Sequence, residues 1–212
     1  MDKGINKQFT YMISMLVIIG FVMLFRNSTF HIPGNQQDYA PEQPIAFSHQ
    51  LHAGEMEINC QYCHFGGEDS KHAGIPPANV CMNCHKFVNN TLNESRLADQ
   101  EKRKPIASSE IAKIYASLGL SLSGEKVSSE KPTEWIKVHN VPDFVFFSHK
   151  PHINAGVDCA KCHGDVATMT RVKQVEDLSM GWCLDCHRQD HKSLQKSPRQ
   201  TAQLQDCASC HY

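Results

Sequence analysis

Aromatic residues make up only 8% of this 212-residue chain, and the mean hydropathy is −0.41. That is thin material for a conventional apolar core. Charge of one sign is lacking too: the formal net charge is −1, which excludes a strongly basic nucleic-acid binder. Long apolar runs are absent except for one near the amino end. No Ala-x-Ala-like cleavage site follows that run, whose flank reads Arg26-Asn27-Ser28-Thr29-Phe30, and no cysteine stands near its end to carry a lipid. A cleaved leader and a lipoprotein anchor are therefore disfavoured. Finally, no cysteine is left over outside a set of Cys-x-x-Cys pairs, and no pair is followed by lysine.

What is present is a single motif written five times. Cys60-Gln-Tyr-Cys63-His64, Cys81-Met-Asn-Cys84-His85, Cys159-Ala-Lys-Cys162-His163, Cys183-Leu-Asp-Cys186-His187 and Cys207-Ala-Ser-Cys210-His211 use all ten cysteines. Cys-x-x-Cys alone is ambiguous among zinc, redox and disulfide chemistry, but none of these needs a histidine directly after the second cysteine. Cys-x-x-Cys-His is the signature of covalent c-type haem: the two thiols form thioethers and the histidine is the proximal iron ligand. The expectation is five covalently bound haem c groups, with His64, His85, His163, His187 and His211 proximal. Five porphyrins would supply the missing apolar bulk, so short helices and long loops wrapped on haems are expected: a mainly α and irregular fold. Phe47, Tyr62, Phe147 and Trp182 are expected to pack on porphyrin faces.

The apolar run from Phe9 to Phe25 carries no charge and would rise about 25 Å as a helix, near the minimum for a bilayer core. Lys3 and Lys7 precede it and Arg26 follows. The expectation is an uncleaved N-terminal transmembrane helix, amino end in the cytoplasm. The rest then lies on the periplasmic side of a bacterial inner membrane, where haem attachment takes place. Residues 1–30 read as anchor, and 31–46, polar with three prolines, as an extended linker.

A repeat follows. Phe47-Ser-His49-x-x-His52 precedes the first motif, and Phe147-Ser-His149-x-x-His152 precedes the third. The repeat divides the chain into a two-haem module at 47–87, a haem-free insertion at 88–134 and a three-haem module at 135–212. Within the insertion, 110–120 can form an amphipathic helix with Ile111, Ile114, Tyr115 and Leu118 on one face.

Six-coordinate haems need distal ligands as well, and eight histidines lie outside the motifs: His31, His49, His52, His72, His139, His149, His152 and His191. His-x-x-His spacing puts two imidazoles on one helical face, so one segment can ligate two neighbouring haems. His49, His52, His149 and His152 are therefore expected as distal ligands. His139 is expected as the fifth, with Met180, His191 and His72 as alternatives.

Phe-Ser-His-x-x-His ahead of Cys-x-x-Cys-His resembles the class III, or cytochrome c7-type, multihaem cytochromes. That resemblance implies His49 for the haem on Cys60/Cys63, His52 for Cys81/Cys84, His149 for Cys159/Cys162 and His152 for Cys183/Cys186. Three stretches are similar to the pentahaem cytochrome family of alternative complex III: Gly74-Ile-Pro-Pro with Cys81-Met-Asn-Cys84-His85; Lys137-Val-His139-Asn-Val-Pro-Asp-Phe through His149; and Leu178-Ser-Met180-Gly-Trp-Cys183 through His187. The resemblance implies an electron-relaying subunit of a quinol-oxidising membrane complex. Its implied partners are an iron–sulfur protein of the molybdopterin-oxidoreductase type, quinol-binding membrane subunits, a monohaem cytochrome c, and a downstream cytochrome or terminal oxidase. The rival expectations are a quinol dehydrogenase-type anchor, a multihaem reductase with one open-coordinate haem, and a free periplasmic shuttle.

Overall fold

The computed structural model describes residues 7–26, 36–193 and 204–211. His31 and the side chain of His191 lie outside the described residues. The described architecture is helical and irregular: α1 (Lys7–Arg26), α2 (Cys60–Cys63), α3 (Ala78–His85), α4 (Leu92–Gln100), α5 (Ser109–Ser117), α6 (His149–Asn154), α7 (Ala160–His163) and α8 (Met180–Ser193). A π-helical turn covers Gln50–Glu55, and 3₁₀ turns cover Val166–Thr168 and Cys207–Ser209. Among the described residues the β-pairing consists of isolated bridges, Leu120 to Lys126 and Val145 to His211.

The shortage of apolar bulk is visible in the packing. Among the described residues the buried apolar side chains are Ile45, Ala98, Ile114 and Tyr115, and the one fully buried large side chain is polar, Gln174. The accessible surface is 15,898 Å², where a compact chain of this mass would show roughly 9,900 Å².

The span expected over Phe9–Phe25 is not met. Among the described residues no helix is long and apolar enough to cross a membrane. Along α1 the large apolar side chains, from Phe9 to Val22, are exposed.

The linker also departs from expectation over the residues described, 36–46, which lie along the rest of the chain. Asp38 N donates to Gln174 O at 2.7 Å and Gln174 N to Tyr39 O at 3.1 Å. The Gln43 amide clasps the Ile136 backbone at both ends, 2.9 Å each way. Ala46 N donates to Glu110 at 2.7 Å.

The segment 88–134 packs on the motif before it. Thr91 caps α4 by accepting from Glu94 N, and Glu94 pairs with Arg103. The amphipathic helix appears as α5, ending at Ser117 with Leu118 as its C-cap. Its buried Ile114 and Tyr115 face inward, and the Tyr115 hydroxyl donates to His85 O at 3.1 Å.

The two Phe-Ser-His-x-x-His segments are each held by the other half of the chain. Gln50 N donates to Met169 O at 2.9 Å, and Lys150 N to Ser70 O at 3.2 Å. His149 N and Asn154 Nδ2 add bonds to Lys71 O (3.1 Å) and Glu68 O (3.4 Å). Lys71 then lays its ammonium over the Phe146 ring, 4.5 Å from the centroid.

Candidate haem-ligand site

Each Cys-x-x-Cys-His is wound in helical geometry, at three motifs as little more than a single turn, which brings residues i and i+3 to one face. A turn that short needs its own start signal. The residue before the first cysteine supplies it at three motifs: Asn59 accepts from Gln61 N (2.9 Å), Asp158 from Ala160 N (2.7 Å) and Asp206 from Ala208 N (3.2 Å). The motifs at Cys81 and Cys183 lie inside the longer α3 and α8. There Val80 and Trp182 precede the cysteine, and the cap of α8 falls to Ser179, which accepts from Trp182 N at 3.2 Å. The ten cysteines form no disulfide.

The cysteine pairs adjoin one another in a definite order. Burial and then its neighbours Cys60 and Cys84 raise the Cys63 thiol; burial and then Cys63 raise Cys81. Burial, then Cys60, which also hydrogen-bonds to it, raises Cys159. Cys162 is pushed up to about 11 by burial and then by Cys186 and Cys183, and Cys183 is raised by burial and then by Cys210. Before thioether formation these thiols stay protonated at neutral pH, which slows their closure into disulfides. The pairs thus run Cys81/Cys84, Cys60/Cys63, Cys159/Cys162, Cys183/Cys186, Cys207/Cys210.

The histidines come together two by two. His49 faces His64 with ring centres 6.4 Å apart and planes 6° from parallel. His149 faces His163 at 6.3 Å and 7°. His52 faces His85 at 6.1 Å, and His152 faces His187 at 6.1 Å. The rings are also oriented through their other nitrogen. Nδ1 lies against a backbone carbonyl in His52 (Ser48, 2.8 Å), His64 (Gly74, 2.6 Å), His85 (Val88, 2.8 Å), His149 (Lys71, 2.9 Å), His152 (Ser148, 2.8 Å) and His187 (Leu204, 2.8 Å). A carbonyl only accepts, so each Nδ1 carries the hydrogen and each Nε2 keeps its lone pair for a metal. His49 differs, its Nδ1 being buried without a hydrogen-bond partner. Burial first, then neighbouring imidazoles (His64 and His52 for His49; His139, His149 and His64 for His163), holds both rings down at about 4. Burial, then His187 and His149, lowers His152 against an opposing bond to Ser148. These rings are neutral at pH 7, the form that ligates.

Phe47 and Phe147 contact imidazoles: Phe47 lies 4.8 Å from His49 and 4.3 Å from His52, and Phe147 lies 5.0 Å from His149 and 4.8 Å from His152. Each phenyl braces both histidines of its pair. His139, expected opposite the fifth motif, instead places Nε2 3.2 Å from His163 Nδ1. Among the described residues the ring facing His211 is that of Phe144, at 5.8 Å. Of the alternatives, Met180 is exposed and His72 is exposed, while the His191 side chain is outside the described residues.

Residues 145–212 match the family described as "Cytochrome c7 and related cytochrome c". A relative from Nitratidesulfovibrio vulgaris (strain Hildenborough), described as "Menaquinone reductase, multiheme cytochrome c subunit", is 29% identical over 181 residues, covering 80% of this chain and 68% of the relative. The chain is similar to multihaem c-type cytochromes. The cytochrome c7-like segment holds the last three motifs together with Phe147, His149 and His152.

The residues fit the cofactor. Two metal–imidazole bonds of about 2 Å on opposite sides of one ion, with the ring radii added, separate ligating rings by about 6 Å centre to centre. The four facing pairs stand at 6.1–6.4 Å, and each has a cysteine pair immediately before its motif histidine. Among the described residues no three His, Cys, Asp or Glu side chains group to hold a bare ion; a haem iron needs only two protein ligands, one on each side.

Proposed function

We propose that the chain is an electron-transfer subunit holding five covalently bound haem c groups within a membrane quinone-linked oxidoreductase of the alternative complex III type. The carrying observation is the set of four facing imidazole pairs, each built from one motif histidine and one His-x-x-His member. Bound haem supplies reversible one-electron chemistry. The chain's residues hold it: five cysteine pairs by thioether, His64, His85, His163, His187 and His211 as proximal ligands, and His49, His52, His149 and His152 as distal ones. The succession of neighbouring thiols supports a single file of sites whose ends are the second and fifth motifs. In this reading the chain carries electrons and the complex is the enzyme.

The partners in this reading are an iron–sulfur protein of the molybdopterin-oxidoreductase type, quinol-binding membrane subunits and a monohaem cytochrome c, with a cytochrome or terminal oxidase downstream. The exposed apolar side chains of α1 support attachment to a membrane, which in this reading is the bacterial inner membrane with the haem-bearing part on its periplasmic side. The relative's printed name supports menaquinone as the quinone and allows electrons to run toward it. A second reading, a reductase with one open-coordinate haem, is favoured by Phe144 rather than a histidine facing His211.

Detergent extraction of the native protein tests the first reading. The expected result is five haems per chain by haemochrome assay, co-purification with iron–sulfur and integral-membrane proteins, and anaerobic reduction of the haems by added menaquinol. A lone chain indifferent to menaquinol would sink it. Carbon monoxide or nitrite binding to the reduced protein would favour the second.

A further inference from the structure

The His49–His64 and His149–His163 pairs are nearly the same object: ring centres at 6.4 and 6.3 Å, planes at 6° and 7°. They differ behind the motif histidine. His64 Nδ1 meets the Gly74 carbonyl at 2.6 Å, whereas His163 Nδ1 meets the Nε2 of His139 at 3.2 Å, the rings edge to face at 4.3 Å. Among the described residues His163 is the motif histidine whose Nδ1 faces a side chain.

His139 is delivered there by construction. Three residues before it, the Gln43 amide grips the Ile136 backbone at both its N–H and its carbonyl. One residue after it, Asn140 N donates at 3.0 Å to Gln174, the fully buried side chain, whose Nε2 is itself bonded to Glu176 O. A glutamine amide engaged at both its oxygen and its nitrogen therefore holds the backbone on each side of His139, the Gln174 amide being buried.

We infer that His139 is a positioning residue for the third haem site: it accepts the Nδ1 hydrogen of the iron ligand His163, locking that ring's orientation and strengthening its donation to the metal. This rests on the ligand assignment proposed above. A ligand imidazole whose N–H is accepted by a partner is the more basic ligand, and losing such a partner weakens the metal–ligand interaction markedly. Stronger donation favours ferric over ferrous iron. His139 therefore holds the third site at a lower potential than it would have with His163 Nδ1–H left unpaired, and a haem potential becomes adjustable by a residue that touches no iron.

The test compares wild type, His139→Leu and His139→Phe, which lack the acceptor, and His139→Gln, which keeps one. Potentiometric titration and electron paramagnetic resonance of the full haem-loaded protein are the readouts. The expected result is one step of the titration moving positive in the Leu and Phe variants by roughly a tenfold change in ferric-to-ferrous ratio, about 59 mV for a one-electron couple. One low-spin signal shifts its g-values, the number of low-spin haems is unchanged, and the Gln variant returns toward wild type. Unmoved potentials, or an equal shift of all steps, overturn the inference. A new high-spin haem in the Leu variant also overturns it, since His139 would then be a ligand itself. A wild type without bis-imidazole low-spin signals overturns the ligand assignment and the inference together, which separates the two failures.

Discussion

Gly164, directly after His163, is where a single methyl group should do most harm. Its φ is +70° and its ψ −171°, a combination only glycine adopts readily, and holding another residue there costs about 1–3 kcal/mol. A Cβ at Gly164 would also stand 2.6 Å from Cγ2 and 3.0 Å from Cβ of Val175. That overpacking adds about 1–3 kcal/mol. Gly164→Ala should therefore lose roughly 2–6 kcal/mol, or about 4–24 °C in Tm for a chain of this size. Gly156 separates the two terms: its φ is +78° but a Cβ would meet nothing within 4 Å, so Gly156→Ala should show the backbone cost alone. Pairing Gly164→Ala with Val175→Ala should restore the steric part and leave the backbone part. Equilibrium urea unfolding followed by the haem bands reads all four proteins. The reasoning is refuted if Gly164→Ala matches wild type, or if it costs no more than Gly156→Ala and is indifferent to Val175.

His152→Ala should convert one haem to a high-spin form that binds carbon monoxide after reduction, leaving the others low-spin; an unchanged spectrum would remove His152 from the ligand set. The same spectra should hold from pH 8 down to about pH 5. Burial depresses His49 and His163 to about 4 in the folded chain against an ordinary 6.5, so these rings stay neutral in the folded chain as pH falls through 6.5, while the unfolded chain takes up protons; stability therefore declines from about pH 6.5 to about pH 4 with ligation kept. A ligation change between pH 7 and 5 would contradict that. Tyr115→Phe removes the bond to His85 O and should cost about 0.5–1.5 kcal/mol in urea unfolding; no change would mean the insertion does not brace the second motif.

The motif histidines stand out in the sequence because the attachment motif fixes them next to their cysteines. The facing partners were legible because His-x-x-His is local and repeated. His139 misled because a lone histidine ten residues before His149 looks the same in sequence whether it faces an iron or the back of another histidine. Its place is set by Gln43 and Gln174, two amides far away in the chain with no motif around them. The brace of Phe47 and Phe147 on their histidines was not read from the sequence, because a phenylalanine two residues before a histidine carries no signature of what it touches. The clasp of Lys71 on His149 was invisible because a backbone carbonyl in a loop leaves no signature. The fold class was readable from composition, and the path of residues 36–46 was not, because prolines mark extended chain without saying what it lies against.

Ser70 and Met169 each stand six residues past their motif histidine (64 to 70, 163 to 169), and each receives the residue after the first His of the opposite repeat. This is an isologous interface folded within one chain, with a local dyad passing between Cys60 and Cys159. Symmetry of that kind equalises the surroundings of the two central sites, so little driving force is built into the step between them. Any preferred direction must come from what breaks the dyad. Among those breaks are an unpartnered His49 Nδ1 on one side and, on the other, an imidazole behind His163.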